Sequence, residues 1–271
     1  MNARENYAVV TGGTSGIGYE LARLLAKDGY NLILAARNEQ DLIRVSNELK
    51  NEFSIEVIYI SKDLFVPAHA FELYNDVKTK NLEIEILIND AGQGQYGEFL
   101  DTDLQRELDI INLNISSLVI LTKLFLRDMV AQGHGRIMNL SSIASKIPGP
   151  WQSVYHGTKA FVQSFTEAIR SEVKDKGVTI TALLPGATDT DFFNKADMLD
   201  SKIVQEGKLD NAANAARDGY KAMMNGDDMV VSGMKNKMQV AMSNITPDST
   251  LADKMKQQQA PAREKTEKQV H

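Results

Sequence analysis

The chain has 271 residues, a formal net charge of −6, 43% hydrophobic and 24% charged residues, and no cysteine. That length and balance suit a globular protein with a buried core, and they exclude a disulfide framework, a thiolate metal site and a cysteine nucleophile. The acidic balance argues against a nucleic-acid partner. With no run of eighteen apolar residues and no signal-peptide pattern at Met1, the expectation is a cytoplasmic protein with no membrane partner.

Residues 7–10 read as a short apolar strand, followed at once by Thr11-Gly12-Gly13-Thr14-Ser15-Gly16-Ile17-Gly18. A helix opens there, with Ile17, Leu21, Leu24 and Leu25 as its apolar stripe and Gly29 at its end. Strands are predicted over 32–36, 55–60 and 84–89, and helices over 41–53 and 68–80. This alternation implies βαβ units and a parallel sheet. Residues 104–129 form a long helix that is apolar on more than one side, to be buried in its own core or against another subunit.

Gly133-His134-Gly135 breaks that helix before a fifth strand, 136–140, which leads to Ser142. A helix over 154–173 carries Tyr155 and Lys159, and a sixth strand, 178–184, stops at Pro185-Gly186. Residues 191–209 show no clear period; a helix over 212–224 and a seventh strand over 228–232 follow. Apolar residues become sparse beyond Pro247. The expectation is one domain over 1–251 and a frayed polar tail over 252–271, with a packed terminal helix as the alternative.

Three patterns carry chemistry. Gly12, Gly16 and Gly18 follow a strand and open a helix, the context of a dinucleotide fingerprint, where glycine permits a tight turn and the helix N-terminus attracts a pyrophosphate. Arg37 stands just after the second strand, where a carboxylate would accept from a ribose 2′-OH; an arginine instead suits a 2′-phosphate, or is simply a surface residue. Tyr155 and Lys159 lie four apart, one above the other on a helix face, where a cation favours the phenolate of a neighbouring phenol. The histidines form no metal-ligand cluster, so no metal is expected.

Ser142, the Tyr155-x-x-x-Lys159 pair, the G-x-x-x-G-x-G turn and Asn89-Asp90-Ala91-Gly92 occur in the order and spacing of the short-chain dehydrogenase/reductase family, which the chain resembles from about residue 7 to 233. The resemblance implies a doubly wound, Rossmann-like α/β fold with a mostly parallel seven-stranded sheet. It makes Tyr155 the catalytic acid/base, Lys159 the group that lowers its pKa and holds the nicotinamide ribose, and Ser142 the partner of the substrate oxygen. Asn114, with Asn112 as competitor, would hold a relay water.

It further implies that the cofactor contacts Gly12, Thr14, Ser15, Gly16, Ile17, Gly18, Asp63, Asn89, Ala91, Gly92, Pro185, Gly186, Thr188 and Thr190, with Arg37 favouring NADP(H) over NAD(H). Asp90 departs from the family, which usually has a second asparagine there. Residues 191–209 match the substrate lid, with Trp151, Pro148 and Tyr96 on the opposite wall. Only Lys195, Lys202 and Lys146 supply cations there, which favours a neutral, apolar small-molecule carbonyl or alcohol. A dehydrogenase of small hydroxy acids and a non-enzymatic dinucleotide sensor remain as alternatives. The two long helices would pair in a homo-oligomer, a dimer or tetramer.

Overall fold

The structure, a computed structural model, describes residues 6–262. Six of its strands are β1 (Tyr7–Thr11), β2 (Asn31–Ala36), β3 (Val57–Ser61), β4 (Ile84–Asn89), β5 (Gly135–Leu140) and β6 (Val178–Leu184). Two-residue strands β7 (Thr188–Asp189) and β8 (Asp210–Asn211) pair only with each other, and β9 (Met229–Val231) closes the main sheet. The sheet order is β3-β2-β1-β4-β5-β6-β9, and every pairing in it is parallel. β3 begins two residues later than the periodicity suggests, because Ile55 and Glu56 lead into the strand rather than belonging to it.

Alternation along the strands builds two cores. Ala8, Val10, Leu32, Leu34, Ile86 and Ile88 face helices Gly16–Lys27, Glu39–Phe53 and Ala212–Asn225. Tyr7, Val9, Ile33, Leu87 and Ile137 face the opposite way, onto helix Pro67–Lys78 and the long helix Leu104–Gln132. Successive strand side chains point to opposite faces, so fully buried strands of this kind need helices on both. Among the described residues Leu104–Gln132 is long and apolar enough to cross a membrane, yet its Leu121, Phe125 and Met129 are packed into the core on the sheet.

Two features depart from the sequence reading. The long helix contains a π-helical segment, Asn112–Ser117, in which Asn114 turns inward and Ser117 Oγ donates to Leu64 O at 2.7 Å. A π segment inside an α-helix costs hydrogen-bond geometry and is commonest at functional sites. The expected frayed tail is instead helix Asp248–Gln259, at least as far as the described residues run. Its Leu251 and Met255, one turn apart, pack on Ile147, and its end is strapped by Lys202 N to Ala260 O (2.9 Å) and Ala262 N to Asp200 O (2.8 Å). A helix with so few apolar residues is held by where they land, not by their number. Residues 263–271 lie outside the described residues.

Candidate active site

A cleft of about 1160 Å³ runs along the carboxyl ends of the strands. β1 delivers the glycine turn to it, β4 delivers Asp90 to Gly92, β5 delivers Ser141 and Ser142, and β6 delivers Pro185 and Gly186. In the order β3-β2-β1-β4 the chain winds outward in both directions from β1, which is the crevice where ligands bind in open parallel sheets.

At one end stands the glycine turn. Gly12 and Gly16 have φ of 73° and 58°, and a Cβ on Gly12 would lie 3.0 Å from Ala91 N. Helix Gly16–Lys27 begins with Ser15 as N-cap, makes no side-chain capping bond and has no acid in its first turn. Its first amides and positive end therefore suit an anionic group, so these residues fit a dinucleotide pyrophosphate. Gly12, Thr14, Ser15, Gly16, Ile17, Ala91, Gly92, Pro185, Gly186, Thr188 and Thr190 all line the cleft.

Three expected cofactor contacts are not among the residues that line the cleft. Gly18 packs against Gly12 O, where a Cβ would stand at 2.7 Å, and against the Asp90 carboxylate. Asn89 is buried and donates to Thr122 Oγ1 (3.0 Å) and Asn139 Oδ1 (2.9 Å), tying β4 to β5 and the long helix. Asp63 folds its carboxylate back onto Phe65 N at 3.2 Å, leaving Leu64 and Phe65 to line the cleft.

Arg37 is exposed at the cleft's edge, its guanidinium 4.7 Å from the centroid of the Phe65 ring and without a carboxylate partner among the described residues. Two neighbouring cations are already engaged: Arg44 by Asp41 (3.3 Å) and Glu48 (3.8 Å), and Lys62 by Glu72 (2.8 Å) and Asp76 (3.2 Å).

At the other end, helix Ser153–Val173 brings Tyr155 and Lys159 beside Ser142, all three on the cleft. Ser141 Oγ donates to Lys159 O at 2.8 Å, which pins this helix to the end of β5. Tyr155 packs on Phe192 with centroids 4.9 Å apart, while Ser142 Oγ accepts from Ala144 N at 3.1 Å. Lys159 Nζ donates to Leu140 O at 2.8 Å and lies 5.7 Å from the centre of the Tyr155 ring. Asn114 is 1% exposed and stands one layer back, accepting from Gln93 N (3.0 Å) and donating to Gln93 O (2.9 Å) and Thr158 Oγ1 (3.0 Å). Thr158 Oγ1 in turn donates to Tyr155 O at 2.7 Å, so Asn114 braces the catalytic helix.

Tyr155, Lys159 and Asp90 form one buried electrostatic set. Burial pushes the Tyr155 phenol up to about 12, and the Asp90 carboxylate pushes the same way; only the Ser142 hydrogen bond opposes them. Burial brings the Lys159 ammonium down to about 8, against the nearby Asp90 charge, and burial lifts Asp90 to about 7 against Lys159 and the Gly18 amide. Asp90 and Lys159 thus each favour the charged form of the other against burial.

The lid splits into helix Phe192–Lys195, helix Lys202–Gln205 and the loops around them. Phe192, Phe193, Met198 and Ile203 line the cleft, while Tyr96 and Trp151 stack on each other 5.6 Å apart instead of forming its wall. Trp151 is held at φ 73°, a conformation rare for a bulky residue, and Pro148 is exposed. The wall is supplied by Ile147, Gln152, His156, Met255 and Gln259. Lys208 and Lys235 join Lys195 and Lys202 on the cleft in place of Lys146. Gln152 stood near Tyr155 in sequence without a motif to single it out, and Gln259 had no local signal at all.

The sequence pattern of the family described as short chain dehydrogenase matches residues 6–199. The chain belongs to that family. It is 37% identical over 188 residues to the very-long-chain 3-oxoacyl-CoA reductase of Rattus norvegicus and 38% identical over 185 residues to that of Homo sapiens, covering 66% of this chain and 58% of each relative. The chain thus spans under three fifths of the length of these relatives. Among solved structures, a short-chain dehydrogenase from Sphingobium yanoikuyae in complex with NADPH superposes with a TM-score of 0.79 at 25% identity, covering 89% of this chain and 96% of the other. A 7beta-hydroxysteroid dehydrogenase shares the fold with a TM-score of 0.82 at 22% identity, covering 94% of this chain and 99% of that one.

Proposed function

We propose that the chain is an NADP(H)-dependent oxidoreductase that interconverts a neutral, largely apolar carbonyl compound and its alcohol. The observation that carries this reading is the convergence of Ser142, Tyr155 and Lys159 on one end of a cleft whose other end is a glycine turn with Arg37, free of any carboxylate partner among the described residues, beside it. The dinucleotide would supply or take the hydride. Tyr155 gives its proton to the substrate oxygen in reduction, a phenol being protonated at neutral pH. Ser142, on the cleft beside Tyr155, orients that oxygen. Lys159 would hold the nicotinamide ribose, and Asn114 fixes the turn of helix on which Tyr155 and Lys159 stand. Phe192 and Ile147 exclude water from the reacting centre.

Arg37 supports NADP(H) because a guanidinium free of carboxylate partners can form a charge-assisted fork with a 2′-phosphate. The NADPH complex of the Sphingobium yanoikuyae relative points the same way. Among the described residues no arginine lines the lid end, which disfavours a hydroxy-acid substrate. A second reading is reduction of a 3-oxoacyl thioester, as the names of the relatives suggest, with Lys195, Lys202, Lys208 and Lys235 at the cleft to meet phosphates of the carrier. The test is consumption of NADPH and of NADH by purified protein with a panel of apolar ketones, keto acids and 3-oxoacyl thioesters. A preference for NADPH and for uncharged ketones supports the first reading, and a thioester favoured by tenfold or more selects the second.

A further inference from the structure

Helix Met234–Ser243 has two opposed faces. Asn236, Val240 and Ser243 are buried, and Asn236 Nδ2 donates to Asp210 Oδ2 (2.6 Å) and Ser232 O (2.7 Å), which fixes the helix to the loop after β9. On the other side Met234, Met238 and Met242 are 73%, 61% and 58% exposed, and Ile245, just past the helix, is 78% exposed. At 3.6 residues per turn these four positions fall within about 80° of one another, so they form one stripe. The unbranched methionine chains make it an adaptable surface. An exposed apolar row of this kind marks a place where the protein meets something apolar.

The charges around the stripe say what that is. From Gly233 to Pro247 the chain has no acidic residue. Lys235 and Lys237 are exposed, stand one on each side of the stripe, and make no ion pair among the described residues. Asp210 lies on the inward face, held by Asn236. This is a local excess of positive charge in a chain whose net charge is −6. An apolar stripe edged by lysines suits the boundary of an anionic bilayer, where the methionines enter the acyl region and the ammonium groups stay at the phosphates. Other covers fit less well. Residues 1–5 and 263–271 together supply only Met1, Ala3 and Val270 as apolar groups. A second copy docked about a two-fold axis would set the same lysines against each other.

We propose that helix Met234–Ser243 seats the protein on an anionic membrane surface through Met234, Met238, Met242 and Ile245, with Lys235 and Lys237 at the lipid phosphates. Lys235 and, one turn on, Gln239 also line the cleft, so the bilayer would border the cleft's rim. The expectation of no membrane partner rested on the lack of a spanning run, which a surface stripe does not need. The proposal goes beyond the reductase chemistry and does not depend on it.

The experiment is co-sedimentation of the full chain with vesicles of phosphatidylcholine alone and of an equal mixture of phosphatidylcholine and phosphatidylglycerol. The wild type is expected to partition onto the anionic vesicles about tenfold or more above the neutral ones, and to lose that advantage as added salt screens the lysines. The triple variant Met234→Ser, Met238→Ser, Met242→Ser should bind anionic vesicles about tenfold or more weakly, since it removes most of the inserted apolar surface. Its circular dichroism and Tm should stay close to those of the wild type, because all three side chains are more than half exposed. Lys237→Gln should lower binding by about fivefold, the attraction of one lysine near the surface, and keeps the proposal testable if the triple variant is unstable. No excess binding of the wild type to the anionic vesicles, or binding unmoved in folded variants, overturns the proposal. Light scattering without vesicles that gives a smaller particle for the folded triple variant than for the wild type assigns the stripe to a second copy, which overturns it too. Vesicle binding needs no turnover, so either failure leaves the reductase reading standing.

Discussion

Asp90, at the end of β4, puts a buried carboxylate within reach of the charge on Lys159. Tyr155, Lys159 and Ser142 were legible because their chemistry depends on local spacing, four residues on a helix and the end of a strand. The charge balance among them was not, because it arises where β4 and the catalytic helix meet the glycine turn. Lys159 stays cationic below about pH 8, with burial lowering it and Asp90 holding it up. Carbonyl reduction should therefore decline as pH rises through that value. Asp90→Asn removes the anion that favours the charged ammonium, so the alkaline limb of the kcat/KM profile should move to lower pH. A limb that stays in place or moves upward would contradict the coupling. At the other end of the cleft, Arg37→Asp should reverse cofactor preference, since it exchanges a phosphate-binding fork for a ribose acceptor; each charge-assisted hydrogen bond in that fork is worth about 1.5–3 kcal/mol. Unchanged kcat/KM ratios for NADPH over NADH would remove Arg37 from that role.

Secondary structure was legible where the apolar pattern was dense and illegible where packing alone decided it. The strands of the sheet follow from continuous apolar runs, such as Ile86-Leu87-Ile88, buried on both faces. The π segment has no such signature: Asn112-Leu113-Asn114 reads as ordinary helix, and its geometry comes from the Asn114 and Ser117 bonds to distant main chain. Helix Asp248–Gln259 was harder still, since its inward face is little more than Leu251, Met255 and Gln259. Its fit to Ile147 is a tertiary fact. Leu251→Ala should weaken docking of this helix by about 2 kcal/mol, at the low end for a buried leucine because the cluster is small. The measurable results are faster amide exchange over residues 248–259 and a raised KM for the carbonyl substrate, as the wall carrying Gln259 loosens. Unaltered exchange there would show that the strap to Asp200 and Lys202 holds the helix without Leu251.

The doubly wound architecture follows from the βαβ alternation, and the cleft lies where such a sheet must place it. The outer surface carries the next level of organisation. Leu104 and Leu108 on the long helix are 68% and 44% exposed, and Phe161 on the catalytic helix is 41% exposed and stacked on Phe165. Apolar residues at that exposure on two neighbouring long helices call for a partner surface. A homo-oligomer formed through these helices is the expected state in solution, and Leu104→Glu with Leu108→Glu should dissociate it. Light scattering that gives a monomer mass for the wild type at micromolar concentration would remove this assembly.

The claim on which the rest depends is that Tyr155 delivers the proton for carbonyl reduction. Tyr155→Phe deletes the phenolic oxygen and keeps the ring that packs on Phe192. Steady-state NADPH consumption with an apolar ketone, paired with a fluorescence titration of NADPH, reads both consequences. A fall in kcat of about 10²–10⁴-fold is expected, the usual contribution of a general acid, with NADPH affinity close to that of the wild type. A variant that keeps more than about a tenth of the wild-type rate, while binding NADPH normally, would contradict it.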